Sequence, residues 1–325
     1  MYVIGIDGGG TKTKGIIADE NGTIYAMEQV GATNQNGVDL TVIERELTEL
    51  FSSLEEQNKE AFSKVHTVFA GMAGVDRPEA KERMEGIFSK LVPGCAKIII
   101  DNDGVNALYS GTLGFPGIVQ ISGTGSITFG INDKGERKRV GGWGYLIDDE
   151  GSGYDIGRAA LHAVFKAHDG RGPETALTEM IRKHFTVSDT PELIAYIYGS
   201  NNPRSVIAPL SKYVTIAADR GDEMANHIIR ESSSKLVHSI KSLYLQLFSS
   251  SQKVPVVLVG GLFSRLDLFL PAIESMCKQW NLPINLQAPK IEPVGGAAAA
   301  ALVSAGCKLE ESFVENMKRN EIIVQ

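Results

Sequence analysis

The chain has 325 residues, 43% hydrophobic and 22% charged. That is the composition of a folded globular protein long enough for two domains. Its 39 acidic against 32 basic residues give a net charge of -7. With no basic cluster this excludes a nucleic-acid binder and points to small-molecule partners. Cys95, Cys277 and Cys307 lie far apart without CxxC or Cys/His spacing, which excludes a zinc site or disulfide framework and fits a reducing, cytoplasmic setting. The six histidines form no HExxH or other ligand pair. No signal peptide is expected, because the N-terminus runs straight into a strand. No membrane association is expected either, since the apolar runs Val256–Phe263 and Ala297–Val303 are far below the ~20 residues of a span.

In chain order, Val3–Ile6 reads as a buried strand that Asp7 ends. Gly8, Gly9 and Gly10 form a turn, Thr11, Lys12 and Thr13 follow, and Lys14–Ala18 is a second strand. Glycines let backbone N–H groups approach an anion closely, and Thr11, Lys12 and Thr13 add donors, so the turn suits a phosphate. Asp7 beside it suits a phosphate-bound Mg²⁺. Taken alone, the turn is equally a hairpin that needs glycine for its backbone angles. A third strand over Thr23–Val30, a polar loop through Asn34 and a helix over Leu40–Gln57 come next, the helix marked by a 3.6-residue apolar period. Val65–Ala70 is a strand running into Gly71–Gly74, Arg77–Leu91 a helix, and Lys97–Ile100 a strand ending at Asp101-Asn102-Asp103 before a helix from Gly104.

The strand–turn–strand then recurs. GIVQISGTGSITFGINDKGER echoes YVIGIDGGGTKTKGIIADENGT, with Gly123-Thr124-Gly125-Ser126 in the place of Gly8–Thr11, and VHTVFAGMAG is echoed by PVVLVGGLF. A repeated plan implies two similar lobes facing one cleft, divided near residue 115. After it, Arg139–Gly153 reads as a glycine- and acid-rich loop. Helices are expected over Asp155–Ala167, Thr175–Phe185, Pro191–Tyr198, Pro203–Ala218, Glu223–Phe248 and Leu266–Trp280, strands over Val256–Gly260 and Ile284–Ala288, then an alanine-rich helix to Val303 and a last helix from Glu310. The alanine run reads mainly as close helix packing. Two hydroxyl- and glycine-rich turns, one per lobe, suit the two ends of a polyphosphate, and Gly260-Gly261 at a strand end would let backbone pass close to a nucleotide.

The stretches GIDGGGTKT, GATNQN, AGMAG, DNDGVNAL, ISGTGS, GGWGYLIDDEGS, VGGLFSR and PVGGAAAAAL together resemble the actin-like ATPase and sugar-kinase superfamily. Within it the chain is similar to the BadF/BadG-type ATPases, most nearly their N-acetylglucosamine kinase branch. The resemblance implies an α/β fold of two duplicated ribonuclease H-like lobes around an interlobe cleft, with residues 1–115 in the N-terminal lobe and 116–325 in the C-terminal lobe, the last helix (about 308–319) packing back on the first. It implies ATP and Mg²⁺ as cofactors and an amino-sugar substrate, N-acetylglucosamine or N-acetylmuramate, phosphorylated at the 6-hydroxyl, with glucosamine as the alternative. Asp7 would hold Mg²⁺. Gly9, Gly10, Thr11, Lys12 and Thr13, with Gly123 and Thr124, would contact the phosphates. Gly260, Gly261 and Arg265, beside Gly295-Gly296, would line the adenosine pocket. Asp103 would be the catalytic base, although an Asp there is also a natural helix cap and Asp101 is a rival carboxylate. Asn34, Ser126, Gly142, Trp143 and Asp149 would bind the sugar. Trp143 could instead be a core residue under the loop, Asp149 a helix cap, and Lys12 a solvated turn residue. Ile127 stands where the kinase branch has asparagine. A homodimer through the second lobe is implied. An ATPase activator of a reductase or dehydratase would need paired cysteines for an iron–sulfur cluster, and none are present.

Overall fold

A computed structural model describes residues 1–35, 37–75, 77–249 and 251–323, with side chains of the last helix described as far as Arg319. Asn36, the last residue of the GATNQN stretch, lies outside the described residues. The chain divides into two units, Met1–Gly117 together with the segment from Gln287 onward, and Ile118–Leu286.

In the first unit β1 (Tyr2–Gly8), β2 (Thr13–Asp19), β3 (Ile24–Val30), β4 (Val65–Met72) and β5 (Lys97–Asn102) form a mixed sheet in the order β3-β2-β1-β4-β5. β1 pairs antiparallel to β2 and parallel to β4. The helices are α1 (Leu40–Gln57), α2 (Lys59–Ser63), α3 (Pro78–Leu91) and α4 (Asp103–Thr112). α1 buries Ile43, Leu47, Leu50, Phe51 and Leu54, one stripe of a 3.6-residue period. These meet Ile17, Val68 and Ile100 from the sheet and Phe88 from α3 in one core, where Phe51 and Phe88 stand edge to face at 5.3 Å.

The second unit repeats the plan. β6 (Gly117–Ser122), β7 (Ser126–Ile131), β8 (Arg137–Gly141), β9 (Val254–Val259) and β10 (Ile284–Gln287) lie in the order β10-β9-β6-β7-β8. That is the first sheet's order with each strand moved five places on. The echo of VHTVFAGMAG in PVVLVGGLF is therefore positional: β4 flanks β1 as β9 flanks β6. Its helices are α5 (Gly153–His168), α6 (Leu177–Phe185), α7 (Leu193–Tyr198), α8 (Pro203–Ile207), α9 (Ser211–Asp219), α10 (Glu223–Leu247) and α11 (Leu266–Gln279). α5 and α10 place Ile156, Ala160, Leu236 and Ile240 against Ile118, Val256 and Leu258 of the sheet.

Three expectations need correction. β8 occupies residues read as the charged end of a hairpin and the start of a loop; Arg137, Lys138 and Arg139 carry no apolar alternation, yet they supply the strand equivalent to β3. The single helix expected over Pro203–Ala218 is two, α8 and α9, joined by a 3-10 turn around Pro209, whose ring cannot continue a regular helix. The lobe read as 116–325 also loses α12 (Pro293–Ser304), which groups with the first unit together with α13 (Glu311–Ile323), the last helix expected to pack there. α12 is buried from Val294 to Leu302, and small residues let it lie directly on β1 and α4. A Cβ on Gly5 would fall 2.4 Å from the Ala298 nitrogen, and one on Gly296 only 2.0 Å from the Asn106 carbonyl oxygen. Close packing thus accounts for Gly296, whose added Cβ would meet α4 backbone.

Candidate active site

In the first unit the glycine turn joins β1 to β2. The Gly9 N–H donates to the Lys12 carbonyl at 3.0 Å, Thr33 N–H to Gly9 at 3.2 Å, and Ala73 N–H to Gly8 at 2.8 Å. None of Gly8, Gly9 and Gly10 has a positive φ, so the hairpin does not require glycine for its angles. Gly8 sits in a tight space, since its Cβ would lie 3.0 Å from the side chains of Met72 and Thr33. Gly10 is exposed, and a Cβ there would make only ordinary contact, 3.6 Å from Asn34 Nδ2. Packing therefore does not explain Gly10. Thr11 and Lys12 are exposed at the turn's tip. Thr13 is not: it is fully buried, its hydroxyl 2.8 Å from the Thr33 hydroxyl. That removes it from the expected phosphate donors and makes it, with Thr33, the clasp between the turn and the loop carrying Asn34.

Strand register sets the acidic groups. Gly8 pairs with Met72 and Met72 with Asn102 across parallel strands, so the turn, the Gly71–Gly74 bend and Asp103 share the carboxyl edge of the sheet, where open α/β sheets place their ligands. Asp103 starts α4, but the capping role falls to Asn102, whose side chain accepts from Gly104 N–H at 2.8 Å. Capping is thus not Asp103's task. Asp101, the rival, lies inside β5 and its carboxylate accepts the Asn102 N–H at 2.8 Å.

One helix turn beyond Asp103 is Asn106, fully buried. Its amide donates to Asp7 Oδ1 at 2.9 Å, to Gly71 O at 3.0 Å and to Ile6 O at 3.1 Å. The sequence reading passed over it, although an Asn three residues after the candidate base falls on the same helix face. The Asp7 carboxyl is raised above the ordinary Asp range, first by burial, against the Asn106 hydrogen bond and the Lys12 charge, which lower it. A raised folded-state pKa means the folded chain binds this proton more tightly than the unfolded chain. Stability is therefore lost as pH rises from the unfolded value through the folded one. Asp7→Asn accordingly raises the thermal unfolding midpoint of the nucleotide-free protein at pH 7, and the gain shrinks as pH falls toward 4; a calorimetric pH series reads it.

In the second unit the Gly123–Ser126 turn sits at the end of β6. Gly123 N–H donates to Gly125 O at 2.9 Å, and the first N–H groups of α5 hold the turn from below, Gly153 to Gly123 O at 2.7 Å and Tyr154 to Thr124 O at 3.4 Å. The Ser126 hydroxyl accepts from Gln120 Nε2 at 3.0 Å. Gly260 has φ +114°, and its Cβ would lie 2.3 Å from Ser122 O, so glycine is needed there for the strand ends to pass. Gly261 has open space where its Cβ would be, which leaves it as the glycine of the pair that packing does not explain. Arg265 is committed elsewhere. Its guanidinium forks onto Asp219 at 2.6 and 2.8 Å and reaches Asp267 at 2.8 and 3.0 Å, and the bonds from these carboxylates raise its pKa.

The loop after β8 is built on left-handed glycines, with φ of +76° at Gly141, +73° at Gly142 and +99° at Gly144. Trp143 between them is 63% exposed, which excludes a core role. The Arg139 guanidinium stands 4.1 Å from the Trp143 ring centroid, and the Trp143 backbone N–H donates to Asp148 Oδ2 at 3.1 Å. Ile127 packs beneath Gly142. Asp149 is 4% exposed and itself left-handed, φ +61°, a conformation strained for a residue with a Cβ. It is not the cap of α5, which Ser152 provides by accepting from Asp155 N–H at 3.1 Å. Burial raises its pKa, opposed by Arg204 and by the Ser126 and Gly144 N–H groups. Asp155 below it donates nothing to the site: Lys235, Gly151 N–H and Arg158 overcome its burial and hold its pKa low. Each unit thus gathers its own part of the candidate set: Asp7, Gly9, Gly10, Thr11, Lys12, Asn34 and Asp103 in the first, and Gly123, Thr124, Ser126, Gly142, Trp143, Asp149 and Gly261 in the second. Arg204, joined to Asp149, was not found by sequence.

The profile of the BadF/BadG/BcrA/BcrD ATPase family matches residues 4–301. The chain is 34% identical over 291 residues to the N-acetylmuramic acid/N-acetylglucosamine kinase of Clostridium acetobutylicum, covering 90% of this chain and 92% of that protein. It is 32% identical to the N-acetyl-D-glucosamine kinase of Dictyostelium discoideum, covering 93% and 98%. A crystal structure from Chromobacterium violaceum, assigned as an N-acetylglucosamine kinase, superposes with a TM-score of 0.71 at 27% identity, covering 91% and 97%.

Proposed function

The chain belongs to the BadF/BadG/BcrA/BcrD ATPase family, and we propose that it is an ATP-dependent kinase that phosphorylates an N-acetylated amino sugar, N-acetylglucosamine or N-acetylmuramate, at the 6-hydroxyl. The observation that carries this reading is the setting of Asp103, at the carboxyl edge of the sheet in line with the glycine turn, in the first turn of a helix whose cap is Asn102. The named relatives support the substrate class.

Asp103 accepts the proton of the sugar hydroxyl as its oxygen bonds to the γ-phosphorus of ATP and the bond to the ADP oxygen breaks. Within the first unit, Lys12 and the exposed edge of the Gly9–Thr11 turn are the phosphate donors; within the second, Gly123 and Thr124 are. Asn34, Ser126 and Asp149 fix the sugar by hydrogen bonds, and the exposed Trp143 ring covers an apolar sugar face. Mg²⁺ fits the donor chemistry at Asp7: a hard cation takes carboxylate and phosphate oxygens, and Asp7 is a half-buried carboxyl whose charge its surroundings disfavour. No group of three or more His, Cys, Asp and Glu that could hold a metal occurs among the described residues, so the ion would arrive with ATP, held by Asp7, and offset phosphate charge.

No helix among the described residues is long and apolar enough to cross a membrane. The reading places the enzyme in the cytoplasm, in amino-sugar metabolism and cell-wall recycling, as a homodimer. The direct test is the product. ADP release must require added amino sugar and Mg²⁺, and phosphorus–proton coupling must place the phosphate on the 6-oxygen. ADP release that needs a partner protein and no sugar would instead favour an ATPase activator.

A further inference from the structure

Arg204 lies outside every motif singled out above. It belongs to α8, a five-residue helix capped by Asn202, and its Nη2 stands 3.3 Å from Asp149 Oδ2 across 55 residues of chain. The site is built around that contact. A Cβ on Gly125 would lie 2.3 Å from Arg204 Nη2 and 2.9 Å from Asp149 Oδ2, so turn, carboxylate and guanidinium touch, and glycine is what admits all three. The Arg204 side chain is 36% exposed, the Asp149 side chain 5%. Arg204 Nε is buried with no hydrogen-bond partner among the described residues, and Tyr145 lies 5.9 Å from its guanidinium carbon. The guanidinium is thus held by packing and by its charge contact with Asp149, not by a hydrogen-bond network of its own.

We propose that Arg204 is a positioning residue, fixing the Asp149 carboxylate against the Gly123–Ser126 turn so that it can accept sugar hydroxyls. This rests on the reading of Asp149 as a sugar ligand. Arg204 itself touches neither substrate nor ATP in this role. The charged groups that face Asp149 are Arg204 from α8 and Asp148 beside it in the loop. With Arg204 removed, the remaining neighbour is a like charge and burial is unopposed by a cation. The carboxyl then keeps its proton to higher pH and loses acceptor capacity.

The test compares Arg204→Gln, Arg204→Lys, Asp149→Asn and the double variant Arg204→Gln/Asp149→Asn, with KM for N-acetylglucosamine and for ATP measured separately across pH. Arg204→Gln is expected to raise the sugar KM roughly ten- to hundredfold, the loss of a charge-assisted contact, to leave the ATP KM unchanged, and to move the acid limb of kcat/KM to higher pH. Arg204→Lys keeps the charge, so its acid limb stays near that of the parent while the sugar KM rises less. In the Asp149→Asn background Arg204→Gln adds little, because both act on one group. An unmoved acid limb in Arg204→Gln, or an equal rise in both KM values, overturns the proposal while leaving Asp149 a sugar ligand, provided Asp149→Asn raises the sugar KM. An unchanged sugar KM in Asp149→Asn overturns both.

Discussion

Asp103→Asn lowers kcat with N-acetylglucosamine by about 10²-fold or more, while the sugar and ATP KM values change by no more than a few-fold. The substitution keeps size and hydrogen-bonding shape but removes the proton acceptor. Because Asn102 caps α4, the change does not cost the helix its cap, and the unfolding midpoint stays close to the parent's. An N-capping aspartate would give the opposite pattern, lost stability with activity largely kept. Steady-state kinetics alongside thermal unfolding separates the two. Asp101→Asn, within β5, leaves kcat within a few-fold.

Gly296→Val destabilises the protein by about 3 kcal/mol. The added Cβ would lie 2.0 Å from the Asn106 carbonyl oxygen and 2.7 Å from the Ser110 nitrogen. Both are backbone atoms of a helix and cannot swing aside as a flexible side chain can. α12 must therefore lift from α4, and Asn106, which ties α4 to Asp7, Ile6 and Gly71, moves with it. Kinase activity falls along with the urea midpoint for that reason. The same substitution at Gly261, where nothing lies within 4 Å, leaves the urea midpoint within about 0.5 kcal/mol, so any loss of activity there reads as a change in the approach of ATP. Urea unfolding followed by circular dichroism, set beside the activity of each variant, measures both.

Much of the fold was legible because each unit opens with apolar strands punctuated by glycine, and because those strands repeat. The repeat in sequence became a repeat in sheet order. What escaped has physical causes. Arg137, Lys138 and Arg139 hide β8, since edge strands carry charge without alternation. Val294–Leu302 of α12 is buried all round, so periodicity could not tell which unit it serves; the match lies in the glycines of β1, where smallness meets smallness. In the candidate site, Asp7, Asp103 and the two turns announced themselves by motif. Thr13 misled because a hydroxyl beside glycines looks like a phosphate donor until its strand partner, Thr33, is known. The ion pairs of Arg265 with Asp219 and Asp267 also left no mark in the sequence, since Asp219 is 46 residues away. Arg204 left no signal, because its partner is 55 residues away and its helix is one turn long.

The most direct test of the central claim is sugar-dependent ADP release by the purified chain with Mg-ATP, measured in parallel with N-acetylglucosamine, N-acetylmuramate, glucosamine and glucose. The account predicts turnover with an N-acetylated sugar at a kcat/KM well above that for glucose, abolished in Asp103→Asn. Turnover with free glucose alone, or full activity in Asp103→Asn, would contradict it.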